Sequence, residues 1–477
     1  MYQFSGKLKK FSFALVALGV LGTGFSFYNT PSTLEETVKV SQNNEHNDNH
    51  GASHQTTSGK EHTSEGDHAA SHNITTSQTE PAAIHETGHH DLHAAHVLHQ
   101  LQNRPWAAVY VSSIFFLGIT LLVLAFYASQ RVAQAGWSVV LFRVMEAISA
   151  NLLPVSIIML VIIALTALHT NHLFAWMGEG VFEKTSENFD PIVYGKKPRL
   201  NVPWWVIRSV FYLLIWNAYR MFIRKNSIKE DVVDDGYRTY KRNYNISVVF
   251  LFLFMVTESM AVWDWIMVLD PHWFSTLFAW YVLATMLVSA ITVIALVTVY
   301  LRSKGYLPKV NDSHIHDLAK FMFGFSVFWT YLWFAQFMLI WYSNIPEETT
   351  YFVLRFSEYK TLFLFMIIMN FVFPVLLLIN SDFKSKSWFV IIGGLVILVG
   401  HYIDVFIMIM TGTVGGNWSF GIPEASATCL FLGIFIYTVF DAFAKADPLP
   451  KGNPFLRESE QFHYYNIEHH SDENSHH

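Results

Sequence analysis

Apolar and polar stretches alternate along the chain with a long period. Runs of about 18 or more apolar residues, the length that spans a bilayer as a helix, are separated by short polar loops. Ten such runs lie near 11–28, 105–129, 139–167, 203–224, 246–268, 274–301, 319–342, 360–380, 388–411 and 425–444. Lipid supplies no water to unpaired backbone groups, so each run is expected to be a helix. The fold class is therefore an all-α polytopic membrane protein of about ten transmembrane helices. The second to fifth and the sixth to ninth runs group as two bundles of four, each ending on an acid-bearing helix. The pattern divides the chain into an N-terminal helix (1–28), a polar linker (29–104), a first bundle (105–268), a second bundle (269–411) and a last helix with its tail (412–477).

Composition agrees with this pattern. The 477 residues are 52% hydrophobic and only 14% charged. Soluble domains carry about 25% charged residues. There is one cysteine, Cys429, within an apolar run. That excludes a disulfide within the chain, a four-cysteine iron–sulfur site and covalent haem attachment. Cys429 is expected to be a small buried packing residue.

Lys and Arg are distributed unevenly. Lys7, Lys9 and Lys10 precede the first run, and Lys225, Lys229, Arg238, Lys241 and Arg242 fill the 225–245 loop. Arg302, Lys304, Lys309, Lys384, Lys386, Lys445, Lys451 and Arg457 fall on the same side if all ten runs cross. The opposite loops 269–273 and 412–424 have no Lys or Arg, and 343–359 has only Arg355. Loop 168–202 breaks the trend, with Lys184, Lys196, Lys197 and Arg199, but it also holds Glu179, Glu183, Glu187 and Asp190. The positive-inside rule then places both termini in the cytoplasm. The first run lacks a clear cleavage site and is expected to be a retained helix.

Residues 29–104 are polar and low in complexity, with twelve histidines between His46 and His99. Imidazole suits copper and zinc, and His85, His89, His90 and His93 are the densest group. Their irregular spacing lacks the geometry of a structural site. A flexible extracytoplasmic linker with weak, adventitious metal affinity is the expectation.

Ionisable groups inside a span cost about 2.5–3.5 kcal/mol each and usually face a protein interior or a polar path. Glu146, Arg208, Arg220, Glu258, Asp264, His401 and Asp404 fall within the runs. Glu146 and Arg220 are expected to pair at the cytoplasmic edge. Arg208 is expected to snorkel to the headgroups. Glu258 and Asp264 are roughly 9 Å apart along their helix and about 120° apart around it, so they face different neighbours. That suits relay points better than a paired-carboxylate dyad, although Asp264 has a second reading as a bond to a neighbouring helix. His401 and Asp404 are i and i+3 and share a face, as a relay or as a structural hydrogen bond. Gln336 and Thr330 are candidates to line a polar path. For haem, only His401 is well inside a run, while His169, His172 and His272 lie at edges, so no axial pair is apparent.

Three long strings carry a resemblance. "TESMAVWDWIMVLDPHWFST" (257–276), "YLWFAQFMLIWYSNIPEETTY" (331–351) and "HYIDVF" (401–406) resemble the second of the two large membrane subunits of bacterial alternative complex III, often labelled its second quinone-binding subunit. These quinol:cytochrome c oxidoreductase components belong to the wider family of polysulfide-reductase-type membrane anchors. The resemblance covers roughly 105–445. It implies two four-helix bundles flanked by further helices, in the bacterial cytoplasmic (inner) membrane, with the His-rich segment periplasmic. It implies partners: a multihaem cytochrome c subunit, an iron–sulfur subunit, a sister quinol-binding membrane subunit, small membrane anchors and a cytochrome or terminal oxidase as acceptor. No nucleic acid is expected. Haem and iron–sulfur clusters would sit in the partners only, with nothing bound covalently here. Menaquinol would be the electron donor, and whether a quinone touches this subunit stays open. The resemblance assigns a proton half-channel role to Glu258, Asp264, His401 and Asp404, and position alone adds Glu146. An assembly scaffold and an independent secondary transporter are the alternatives.

Overall fold

A computed structural model of the chain describes residues 2–31, 83–233, 237–380, 383–384 and 386–464, with side chains described from residue 97 onward in the helix that begins at Ala83. The described residues are helices and connecting loops, without a strand. Ten helices are long and apolar enough to cross a membrane. They are α1 (Gly6–Tyr28), α2 (Val97–Val132), α3 (Gly136–Ala167), α4 (Val202–Glu230), α5 (Arg238–Leu269), α6 (Leu277–Ser303), α7 (Asp312–Ser343), α8 (Lys360–Leu378), α9 (Ser387–Thr413) and α10 (Ile422–Ala444). The chain is an all-α polytopic membrane protein. The apolar runs located the helices, and their polar first and last turns extend most of them beyond the runs.

The chain divides into two units, residues 29–102 and residues 1–28 with 103–477. In the described part of the smaller unit a helix starts at Ala83, inside the stretch whose polarity pointed to a linker. His85, His89, His90 and His93 lie on this helix, but their side chains are outside the described residues. The histidines from His46 to His72 also lie outside them.

In the larger unit α2 and α6 are the most deeply buried spans, and α1 is the least. Phe116 of α2 meets Phe431 and Phe435 of α10, Phe126 meets Phe321 of α7, and Phe115 meets Tyr402 of α9. Gly118 lets Met286 of α6 approach so closely that a Cβ there would lie 2.3 Å from its sulfur. Around this centre α4 packs on α5, and α6 packs on α7 and α9. Gly412 of α9 rests on Leu269 of α5, so the C-terminal ends of α5 and α9 meet on one side of the molecule.

α1 packs along α10. The contact is made by small residues: a Cβ at Gly19 would lie 2.5 Å from Leu430, and one at Gly433 2.8 Å from the Ser12 carbonyl. In lipid, where tails are as apolar as side chains, such close backbone approach is what holds two helices together. The rest of α1 presents Phe11, Leu18, Leu21 and Phe25 outward. Cys429, expected to be buried, is half-buried on α10.

Candidate functional site

Three clusters of polar side chains occupy the spans. The first holds Glu146, where the segments of α2 and α4 nearest the 225–245 loop come together. The Tyr127 hydroxyl donates to Glu146 Oε1 at 2.8 Å, Ser227 donates at 2.5 Å and Arg143 at 2.7 Å. Arg224 also pairs with Glu146. Arg131 pairs with Glu230 at 3.2 Å, and Arg143 pairs with Asp231. Three arginines thus meet three carboxylates. The expected Glu146–Arg220 pair is corrected: Arg224, one helical turn further along the same face of α4, takes that place, and Arg143 reaches from within α3. A buried network of charge-assisted bonds like this one fixes geometry, although Arg143 Nε and Glu230 Oε1 have no partner among the described residues.

The second cluster surrounds Asp264, which is 1% exposed. Arg208 of α4 grips it with two bonds, Nε to Oδ2 at 2.7 Å and Nη2 to Oδ1 at 3.0 Å. Arg199 adds 3.1 Å to Oδ1, and the Tyr212 hydroxyl adds 3.0 Å to Oδ2. The Trp205 indole donates to the Asp264 carbonyl at 2.8 Å, and the Trp265 indole to Ser209 at 2.9 Å. Trp205, Arg208 and Tyr212 recur at helical spacing, so one face of α4 is built to hold α5. Arg208 does not snorkel to headgroups as expected. It turns inward because a buried carboxylate offers it two charge-assisted bonds.

The third cluster lies between α6, α7, α8 and α9. Asp404 of α9 is wholly buried. The Tyr281 hydroxyl donates to its Oδ1; Thr285 donates to Oδ2 at 2.8 Å, and the Trp329 indole at 3.0 Å. All three donors are neutral. His401, also wholly buried, places Nδ1 3.9 Å from Asp404 Oδ2, and neither of its ring nitrogens has a hydrogen-bond partner among the described residues. The edge of Trp329 meets the His401 ring at 5.4 Å. Asn370 lies against Gly400, beside His401, and both of its amide atoms are buried without partners, as are those of Gln336. Asn370 sits in a five-residue π-helical turn, Ile368–Val372, which interrupts α8. Such bulges turn a side chain inward at the cost of regular backbone bonds and recur at functional sites. Thr330, the other candidate for a polar path, is only half-buried and donates to the Ser326 carbonyl at 2.8 Å.

Glu258 is apart from all three. It is buried beside an apolar cavity of about 50 Å³ between α2, α5 and α6, and its one polar neighbour is Ser259 at 3.5 Å. It faces α2 and α6, whereas Asp264 faces α4. A water needs two to four polar partners, which these walls do not offer. Glu258 therefore has no hydrogen-bonded chain leading from it.

Towards the ends of α5 and α9, a small cavity of about 40 Å³ is lined by Asp270, Thr350, Tyr351, Arg355 and Thr411. Arg355 is 5% exposed and donates to the Tyr351 carbonyl at 2.6 Å and the Thr411 hydroxyl at 3.0 Å; no carboxylate pairs with it among the described residues. Phe278 lines the cavity, and its ring centre is 6.1 Å from that of Tyr281, the donor to Asp404. Two aromatic side chains, Phe278 and then Tyr281, thus lead from the cavity wall to the buried acid.

Sequence reasoning singled out His401, Asp404 and Gln336. It missed Tyr281, Thr285, Trp329, Asn370 and Arg355. Polar residues at helical spacing (Tyr281, Thr285, Ser289) on a very apolar run were one available signal. No family model matches the sequence, and no curated protein matches it either.

Proposed function

We propose that this chain is an integral membrane subunit of a quinol-oxidising, cytochrome c-reducing respiratory complex, and that its second bundle carries a proton path through Asp404 and His401. The observation that carries the path is a contrast in partners. Asp404 is buried among neutral donors, next to a histidine whose ring nitrogens have no hydrogen-bond partner among the described residues. No arginine or lysine pairs with it there, so a change in its charge leaves no buried cation stranded. Tyr281, whose ring neighbours Phe278 in the wall of the Arg355 cavity, supports a path on that side, and Asn370 adds a buried polar side chain at Gly400, next to His401 in the chain. The three strings that resemble an alternative complex III membrane subunit support the setting, with menaquinol as donor and haem and iron–sulfur clusters in partner subunits.

Asp264 and Glu146, both expected as path residues, belong to the scaffold in this reading. Each is paired with two arginines, which suits holding helices and not passing protons. Glu258 is left as a buried acid without a relay.

Two experiments test the proposal at separate points. Purification through this chain in a mild detergent should bring along c-type haem in stoichiometric amount; a colourless, solitary protein would support the transporter reading instead. Within the assembled complex, Asp404→Asn should leave quinol oxidation coupled to fewer protons. Normal coupling would remove the path.

A further inference from the structure

A cavity of about 350 Å³ lies beside the last turn of α5, between the loop that leads into α4 and the turn that follows α5. Water occupies about 30 Å³ per molecule, so the space corresponds to roughly ten waters, the size of a headgroup. Lys196 and Arg199 line it together with Trp263, Pro271, Trp273 and Phe274. Phe274 is 64% exposed beside the end of an apolar span, where aromatic side chains mark the membrane–water boundary.

Asp264 is held by two cations. Arg208 alone neutralises Asp264 through two bonds, so Arg199 is a second cation on one carboxylate. The Arg199 side chain is 45% exposed, with its guanidinium over the Trp263 ring. Lys196 donates to a neutral acceptor, the Pro271 carbonyl, at 2.5 Å, with its ammonium 5.5 Å from the Phe274 ring centre. Lys196, Arg199 and Arg208 face Asp264, Asp270 and Asp190, and Asp190 is also bonded to His272. Burial pushes the Lys196 ammonium down, against the pull of Asp270 and Asp190, a penalty that an anion beside it would reverse.

We propose that this cavity binds an anionic phospholipid, with Arg199 and Lys196 on the headgroup phosphate and an acyl chain running along Trp263 and Phe274. The chemistry is a phosphate at the mouth of an apolar, aromatic-walled slot at the membrane boundary. This cavity shares Met267, Asp270 and Trp273 with the Arg355 cavity but is lined by neither Asp404 nor His401, and it does not depend on the respiratory reading. Arginine suits phosphate because its planar fork offers two parallel donors, and a boundary lysine adds a point charge.

The test uses the full-length protein, delipidated in detergent and titrated with phosphatidylglycerol, phosphatidylcholine or inorganic phosphate, with bound molecules counted by native mass spectrometry. Wild type should take up one phosphatidylglycerol in preference to phosphatidylcholine. Lys196→Gln/Arg199→Gln should weaken that uptake about tenfold or more, and Lys184→Gln should leave it unchanged. Lys196→Gln alone, which keeps the Arg199–Asp264 contact, should weaken it by a smaller factor and covers the case of a misfolded double variant. Equal uptake of the two lipids, unchanged uptake by the variants, or inorganic phosphate binding as well as the lipid would each overturn the proposal.

Discussion

Asp264 and Asp404 are the same residue type in matching places. Each lies in the last third of a long span, and the ends of those spans touch where Gly412 rests on Leu269. At 1.5 Å per residue the two acids differ in depth by roughly 5 Å. Both are buried almost completely. Their partners are opposite in kind. Two arginines and a tyrosine hold Asp264. A tyrosine, a threonine and an indole hold Asp404, with a histidine 3.9 Å away. Burial alone therefore does not decide what an acid does in a membrane. The charge of its donors decides whether losing its own charge is costly.

The largest expected effect comes from breaking the ionic site. Arg208→Gln leaves Asp264 with the half-exposed Arg199 as its one cation and should destabilise the protein by about 3–5 kcal/mol. Asp404→Asn should cost only about 1 kcal/mol, since one oxygen still accepts from Thr285 and Trp329 and the amide can donate to Tyr281. Thermal unfolding in detergent compares the two. Similar losses would erase the distinction.

The two glutamates sharpen the same contrast. Glu146→Gln removes the charge that Arg143 and Arg224 share and should cost about 2–4 kcal/mol. Glu258→Gln has no cation to abandon and should stay within about 1 kcal/mol of wild type. The same unfolding measurement applies, and a large loss at Glu258 would mean that a partner engages it.

A smaller effect is expected from Tyr281→Phe, which removes one donor from Asp404 without changing any charge. It should cost about 0.5–1.5 kcal/mol in stability and slow proton delivery in the assembled complex. Unchanged proton delivery would place the entry elsewhere than the Arg355 cavity.

The smallest effect lies outside the spans. Partial burial pushes the Asp190 carboxyl up, but the Val193 amide, the His272 ring and the Ile192 amide outweigh it and hold the carboxyl below its ordinary value of 3.8. A lowered carboxyl contributes stability that is complete above the ordinary value and fades as pH falls through the lowered one. Proteolysis of the 168–202 loop should therefore quicken in acid, and Asp190→Asn should quicken it at neutral pH. A loop equally resistant in both would show that the contact adds nothing.

Much of this was readable from single helices. The ten spans follow from run length, and the facing of Glu258 away from Asp264 follows from six residues of helical rotation. His401 and Asp404 follow from an i, i+3 step. What decides their chemistry comes from other helices. Arg208 is 56 residues from Asp264, and Tyr281 is 123 residues from Asp404. Nothing in the local pattern says whether an arginine in a span turns outward to headgroups or inward to an acid. The π-helical turn that presents Asn370 does have a local signature, Pro374, which lacks the N–H that the Asn370 carbonyl would accept in a regular helix.

The most direct test of the contrast is infrared difference spectroscopy of the purified protein across a pH step, read at the carbonyl stretch of protonated carboxyls. The expected result is a pH-dependent band that disappears in Asp404→Asn and survives in Asp264→Asn. Measured in a Glu258→Gln background, so that the other cation-free acid does not contribute, a band that persists in Asp404→Asn, or one that is lost in Asp264→Asn, would contradict the assignment of proton exchange to the second bundle.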